Sequence, residues 1–318
     1  MKAVIDRPER AGSTIELPLV GPQGEPIDLL RTLTSHGVAT LPPLSVDEQT
    51  CTLEVTVPIA GGRPRTVRVT RAGAGAAQIT VLGIKPSDRT LDAVRRAVGH
   101  ILRLDEDLSS FYTLAAADPD LAWASAGAGR MIRSSTVFED VVKTICTTNC
   151  AWSATERMVT ALVAHLGEPA AGAPVHGASG RTFPTPVAMA AASDAFYRDT
   201  VRAGYRGAYL KGLAKSVADK TVDLEALGQA TPDELPDDEL AARLLALSGV
   251  GPYAAAHIMM MLGRYSRLIL DSWTRPTYAR IARRKRATDG AMKFRFRRYG
   301  RYAGLAFWLY LTREWVPE

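Results

Sequence analysis

Two glycines, Gly249 and Gly251, flank one apolar residue in the segment Leu244-Leu-Ala-Leu-Ser-Gly-Val-Gly-Pro-Tyr253. Glycine lets backbone N–H groups come close to an anion. The helix that Pro252 is suited to begin would turn its positive end toward the same spot. Ser248, Gly249, Val250 and Gly251 therefore read as a turn able to hold a phosphate, with Val250 anchoring it in the core. A plain helix–helix turn with a glycine cap carries the same pattern. Asp271 stands further on, after the apolar run Leu268-Ile269-Leu270 and just ahead of another helical stretch. There it can act as an N-cap, worth about 1 kcal/mol. A fixed carboxylate behind a phosphate-gripping turn also suits a reaction in which a sugar develops positive charge. It stabilises an oxocarbenium ion and can orient or deprotonate an attacking water.

Three aromatic residues lie close to candidate motif positions in sequence: Tyr253 and Trp273 beside the turn and Asp271, and Trp152 just after the segment 138–149. Such rings stack on exposed nucleobases, at about 1–3 kcal/mol each, and their faces attract cationic, alkylated purines. Tryptophan is also a common core residue, so Tyr253, whose place the turn fixes, is the best candidate. Charge points to the same class of partner. The net charge is only +6, but residues 264–301 hold thirteen Lys/Arg against Asp271 and Asp289, a net of +11, while the rest of the chain carries −5. A split of this size suits a polyanion-facing surface, and Arg275, four residues after Asp271, is a candidate DNA contact.

The elements that position these residues follow from periodicity. Segments 13–20, 52–59, 65–71 and 77–82 are short and rich in Val, Ile and Thr, and glycine turns separate the last three, which predicts an antiparallel sheet. Apolar residues at helical spacing predict a helix over 88–104. Beyond residue 105 the pattern is almost wholly helical, with helices expected over 105–116, 137–149, 152–166, 185–202, 207–219, 236–247, 252–262, 272–284 and 301–314, and a Gly/Ala/Pro-rich loop over 169–186. The fold class is therefore α+β: an N-terminal antiparallel domain with helices over 1–104, then an all-helical domain over 105–318 with its hairpin at about 237–262. A chain of 318 residues is long enough for two cores. No run of about 18 apolar residues suggests a membrane span. The charged stretch 1–12 lacks an apolar signal core, so a cytoplasmic, nucleoid-associated protein is expected. Cys51, Cys146 and Cys150 show no framework or metal-ligand spacing and read as reduced structural thiols.

Leu-Ser-Gly-Val-Gly-Pro-Tyr followed by Leu-Ile-Leu-Asp271 resembles the signature of the helix-hairpin-helix DNA glycosylases. Phe138-Glu-Asp-Val-Val-Lys-Thr-Ile-Cys-Thr-Thr-Asn149 and Gly204-Tyr-Arg-Gly-Ala-Tyr209 resemble further segments of that superfamily. The strand-rich N-terminus is similar to the extra domain of two of its branches, the 8-oxoguanine glycosylases and the bacterial 3-methyladenine glycosylase II enzymes. The resemblance implies a base-excision enzyme acting on double-stranded DNA as a monomer, flipping a damaged base into a pocket and using Asp271 to promote hydrolysis. It implies Asn149 as the wedge that fills the vacated gap, Tyr205 and Arg206 as duplex contacts, and a K⁺ or Na⁺ at the backbone carbonyls of Leu247 and Gly249. Tyr253 stands where the strand-cutting branch carries a Schiff-base lysine, so a monofunctional enzyme is expected. With no cysteine in the C-terminal region, no iron–sulfur cluster is expected. Asn149, Tyr205 and Arg206 lean toward the oxidised-purine branch and Tyr253 toward alkylated purines, which are placed first. A non-catalytic duplex-binding module, with Asp271 only a cap, is the reading of a different class.

Overall fold

The computed structural model describes residues 13–316; the stretch 1–12, on which the expectation of no signal segment rests, lies outside them. The elements are β1 (Thr14–Pro18), α1 (Leu29–Leu33), β2 (Leu44–Asp47), β3 (Thr52–Val57), β4 (Arg65–Arg71), β5 (Ala76–Val81), α2 (Asp88–Ile101), α3 (Ser109–Ala116), α4 (Val137–Thr147), α5 (Trp152–Leu166), α6 (Pro186–Ala191), α7 (Arg206–Ala218), α8 (Leu224–Gln229), α9 (Asp237–Leu245), α10 (Pro252–Met261), α11 (Thr274–Ile281), α12 (Asp289–Phe296) and α13 (Ala303–Thr312). The strands form one antiparallel sheet in the order β1-β5-β4-β3-β2. The α+β class read from the sequence is the observed one.

β3 and β4 register Leu53 against Val69 and Val55 against Val67. These buried rows face Val94, Val98 and Ile101 on α2, and together they form the N-terminal core. Two further cores fill the helical part. One is built from α4, α5, α7 and α9, and the other from α3 and α11–α13. Helix α10 lies between them. Ala254, Ala255, Ile258 and Met259 belong to the first core, Ala256 and Met260 to the second. A helix that is apolar around its whole circumference has to be central, and α10 is the spine from which site residues project.

The sheet domain grips the helices through buried polar contacts. Arg130, fully buried, pairs with Glu25 at 2.8 Å. Arg103 donates to the Met261 carbonyl at the end of α10 at 2.6 Å, and the indole of Trp308 donates to Ser35 O at 2.7 Å. The last contact brings residues 35–37 of the N-terminal domain over the helical domain.

Several expected boundaries move. Strand β2 and the short helices α1, α8 and α12 were not anticipated. Four- to eight-residue elements show too few periods to read, and β2 follows Pro42-Pro43, which cannot donate to a ladder. The helix expected over 185–202 is broken. Ala192 adopts extended backbone and the hydroxyl of Ser193 accepts from Phe196 N, starting a wide second turn at Phe196–Thr200. The 272–284 helix is only Thr274–Ile281; α12 then begins where Thr288 caps Ala291 N at 3.2 Å. Among the described residues no helix is long and apolar enough to cross a membrane.

Candidate active site

α9 ends at Leu245, earlier than expected, so the turn to α10 spans residues 246–251. Within the turn, Val250 N donates to Leu247 O at 3.1 Å. The amides of Gly249 and Gly251 have no acceptor among the described residues, which leaves two N–H donors at a helix N-terminus. Val250 is buried and anchors the turn. Gly249 has a φ of +88°, and a Cβ there would sit 2.8 Å from the ring of Tyr209. Gly249→Ala is therefore expected to cost about 1–3 kcal/mol through left-handed strain and overpacking. Chemical denaturation would register this, along with weakened duplex binding.

Asp271 sits just before α11 in a reciprocal cap. Its Oδ1 accepts from Trp273 N at 2.9 Å and Thr274 N at 2.6 Å, and its own N–H donates to Thr274 Oγ1 at 2.9 Å. The capping role and a chemical role are thus compatible. One oxygen satisfies the helix start, while Oδ2 has no partner among the described residues. The Asp271 charge is near enough to act on Tyr253. Burial chiefly pushes the Tyr253 hydroxyl up, opposed by its hydrogen bond with Thr147 at 3.5 Å, and the nearby Asp271 charge adds to the rise.

From Tyr253 a chain of contacts runs inward. One turn along α10, His257 stacks on Tyr253 with ring centroids 6.0 Å apart, and His36 meets His257 edge-on at 5.6 Å. Both histidines are buried, which holds His36 at about 4 and His257 at about 3; they are neutral at neutral pH. Gly37, next to His36, lies against the ring of Trp152, at 3.5 Å from a Cβ position. On the other side Trp273 packs on Trp308 at 5.7 Å and on Trp315 at 5.6 Å. Trp308 is tied to Ser35 as described. Residues 35–37 thus join the three expected aromatics in one arc of contacts: Tyr253 through His257 and His36, Trp152 through Gly37, and Trp273 through Trp308 and Ser35. His36, His257, Thr147, Trp308 and Trp315 complete it. Of these, only His257 had a legible signal: it lies four residues after Tyr253 and so shares its helix face. His36 and the C-terminal tryptophans reach the arc by tertiary packing alone. A surface cleft of about 250 Å³ is lined by Tyr253, Leu270 and Arg275 but not by Asp271.

The duplex-contact candidates divide. Asn149 is exposed, with φ +46°, and its Nδ2 lies 3.5 Å from the hydroxyl of Tyr205, which is itself exposed. Tyr205 packs on Tyr209 and so connects to Gly249 of the hairpin turn. Arg206 does not present a free guanidinium. It is buried, donates to the carbonyl and hydroxyl oxygens of Thr148, and lies 4.5 Å from the Tyr205 ring. It corrects the expected duplex contact: Arg206 braces the end of α4 and sets the Asn149 turn. Arg275 is paired with Asp289 at 2.8 Å.

The basic segment is likewise less free than its composition implies. Arg264 is buried and bound to Asp237 and the Leu235 carbonyl. Arg267, Arg280, Arg295 and Arg298 also pair with carboxylates. The exposed run Arg283-Arg-Lys-Arg286 has no carboxylate partner among the described residues and remains open to a polyanion.

No model of a known protein family matches the sequence, and no curated protein does. Solved structures do. A 3-methyladenine DNA-glycosylase from Archaeoglobus fulgidus superposes with a TM-score of 0.71 at 18% identity, over 95% of this chain and 100% of that one. The structure of MBOgg1 in complex with a low-affinity DNA ligand gives 0.71 at 18% identity, over 96% and 98%. The apo 8-oxoguanine glycosylase/lyase of Clostridium acetobutylicum gives 0.69 at 16% identity, over 96% and 97%. The chain therefore has the fold of the helix-hairpin-helix DNA glycosylases, N-terminal sheet included.

Proposed function

We propose that this protein is a DNA N-glycosylase that hydrolyses the bond between a flipped, damaged purine and its sugar. The observation that carries this reading is Asp271, held by two backbone N–H groups through Oδ1 while Oδ2 has no hydrogen-bond partner among the described residues. A carboxylate fixed this way needs no reorganisation to stabilise an oxocarbenium ion or to aim a water at C1′. The free amides of Gly249 and Gly251 would hold a backbone phosphate, and the Arg283–Arg286 run would add salt-sensitive, sequence-independent binding. Asn149, set in its turn by Arg206, would enter the duplex.

Alkylated purines are our first choice of substrate, because the aromatic arc attracts cationic bases and such bases leave without a strong general acid. The reaction is read as monofunctional. Tyr253 offers no amine, and Lys143, which lies behind His36, is buried and bound to Glu139 at 2.6 Å. The Asn149–Tyr205 contact favours a second reading, an oxidised purine such as 8-oxoguanine. A K⁺ or Na⁺ at the turn fits the carbonyls present: Gly249 O accepts no hydrogen bond among the described residues, and Leu247 O accepts only Val250 N. Bound there, it would neutralise phosphate charge.

The test is single-turnover excision on duplexes carrying 3-methyladenine, 7-methylguanine, 1,N6-ethenoadenine, hypoxanthine, 8-oxoguanine or uracil, each run with and without alkali. Alkylated bases should be released, with strand breaks only after alkali. Release of 8-oxoguanine alone would favour the second reading, and breaks without alkali would defeat the monofunctional one. Tight duplex binding with no release from any lesion would leave a DNA-binding module.

A further inference from the structure

The two buried histidines have a defined proton arrangement that the mechanism above does not use. Thr144 donates its hydroxyl proton to Asp140 O at 2.8 Å. Its oxygen can therefore only accept from His257 Nδ1, 3.5 Å away, so Nδ1 carries the proton and Nε2 is a bare lone pair. Nε2 has no partner among the described residues, and it is not among the fully enclosed orphan atoms. His36 is similar. Its Nε2 lies 2.6 Å from the carbonyl of Ile132, which can only accept, so Nε2 is the donor and Nδ1 an acceptor. That Nδ1 is buried with no partner. A sealed acceptor on one ring and an accessible, unpartnered one on the ring it meets edge-on leave a place where a ligand N–H would be welcome.

Position ties this pair to Tyr253 and Trp152. His257 shares a face of α10 with Tyr253 and is stacked on it. His36 precedes Gly37, which carries Trp152 against it. Alkylated adenine and guanine both carry an exocyclic amino group whose hydrogens are made more acidic by the ring's positive charge. A base whose amino nitrogen is closed into a ring, as in 1,N6-ethenoadenine, has none. Resting on the glycosylase reading, we propose that the Nε2 lone pair of His257, seconded by His36, selects flipped bases by accepting a hydrogen bond from their exocyclic amino group. His257 is thus a specificity-determining residue, and Asp271 remains the catalytic one.

The test compares wild type with His257→Leu, which removes the acceptor, and His257→Gln, which returns a carbonyl oxygen at about the same reach. Single-turnover release is measured for 3-methyladenine, 7-methylguanine and 1,N6-ethenoadenine, with duplex affinity and thermal unfolding recorded for each variant. His257→Leu should lose about 10- to 100-fold on the two amino-bearing bases, as expected for a hydrogen bond to a charged partner. It should lose little on the etheno base, and His257→Gln should recover most of the loss. Where the etheno base is too slow to read, the Leu–Gln contrast decides. If wild type releases alkylated bases but Leu and Gln fall together, or Leu falls equally on all three, His257 is only a packing residue and this inference is wrong. If wild type releases no base, the glycosylase reading itself fails and takes this one with it.

Discussion

Asp271→Asn is expected to slow base release by about 10²–10³-fold while leaving the melting temperature and duplex affinity nearly unchanged. The magnitude is that of deleting one preorganised electrostatic group from a transition state. The selectivity follows from the cap. Asn keeps an oxygen at the Oδ1 position, so Trp273 N and Thr274 N retain their acceptor and α11 keeps its start. Only the charge and the free Oδ2 are altered. Single-turnover kinetics beside thermal unfolding would separate the two roles. An unchanged rate would reduce Asp271 to a cap and favour a binding module. A rate loss matched by a large fall in melting temperature would mean the geometry collapsed, and the charge would then have to be tested with Asp271→Glu.

The second large effect concerns acid. His36 and His257 are held at about 4 and about 3 by burial, against 6.5 in the unfolded chain. Above pH 6.5 they are neutral in both states and cost nothing. As pH falls below 6.5 the unfolded chain takes up protons that the folded protein refuses, so stability is lost until the folded values are reached. At pH 5 each histidine costs about 2 kcal/mol, the pair about 4 kcal/mol. Asp140 acts in the opposite sense. Burial lifts it to about 7, so its contribution is present in acid and is lost as pH rises through that value. The informative quantity is therefore a difference. Between pH 7.5 and pH 5, His36→Gln/His257→Gln should lose about 4 kcal/mol less unfolding free energy than wild type, measured by urea denaturation. Equal losses would show that both rings are accessible to protons in the folded state.

How much of this was legible depends on the length over which a signal acts. The β3–β5 meander, α2, α5 and α10 were readable because each carries several periods of one pattern. The turn at 248–251 and Asp271 were readable because glycine and a capping carboxylate act within a few residues of themselves. The helix at 185–202 was misread because its apolar spacing continues across Ala192, while the break depends on a single serine hydroxyl recapturing the chain. Arg206 was misassigned for a related reason. Nothing in its neighbours announces that Thr148, on another helix end, will take up its guanidinium. The basic segment shows the same limit: composition counts Arg264, Arg295 and Arg298 as surface charge, whereas Asp237, Asp120 and Asp118 come from far along the chain to meet them. The aromatic residues of the candidate site were anticipated, but the His36–His257 contact joins residues 221 positions apart and has no local signal.

Because α10 is packed on both sides by separate cores, its outward positions are few. Changing Ala254, Ala255, Ile258 or Met259 disturbs one core, and changing Ala256 or Met260 the other. Tyr253, packed against both cores, and His257, stacked on it one turn further, are the positions of this helix that belong to the proposed base site. A lineage built on this scaffold therefore has a narrow channel for acquiring new substrates. Drift at those two sites retunes which base is accepted, while drift elsewhere on the helix is paid in stability before it reaches chemistry. Close relatives that differ in lesion preference should differ first at the positions of Tyr253 and His257, with the rest of the helix varying only among small and flexible apolar residues.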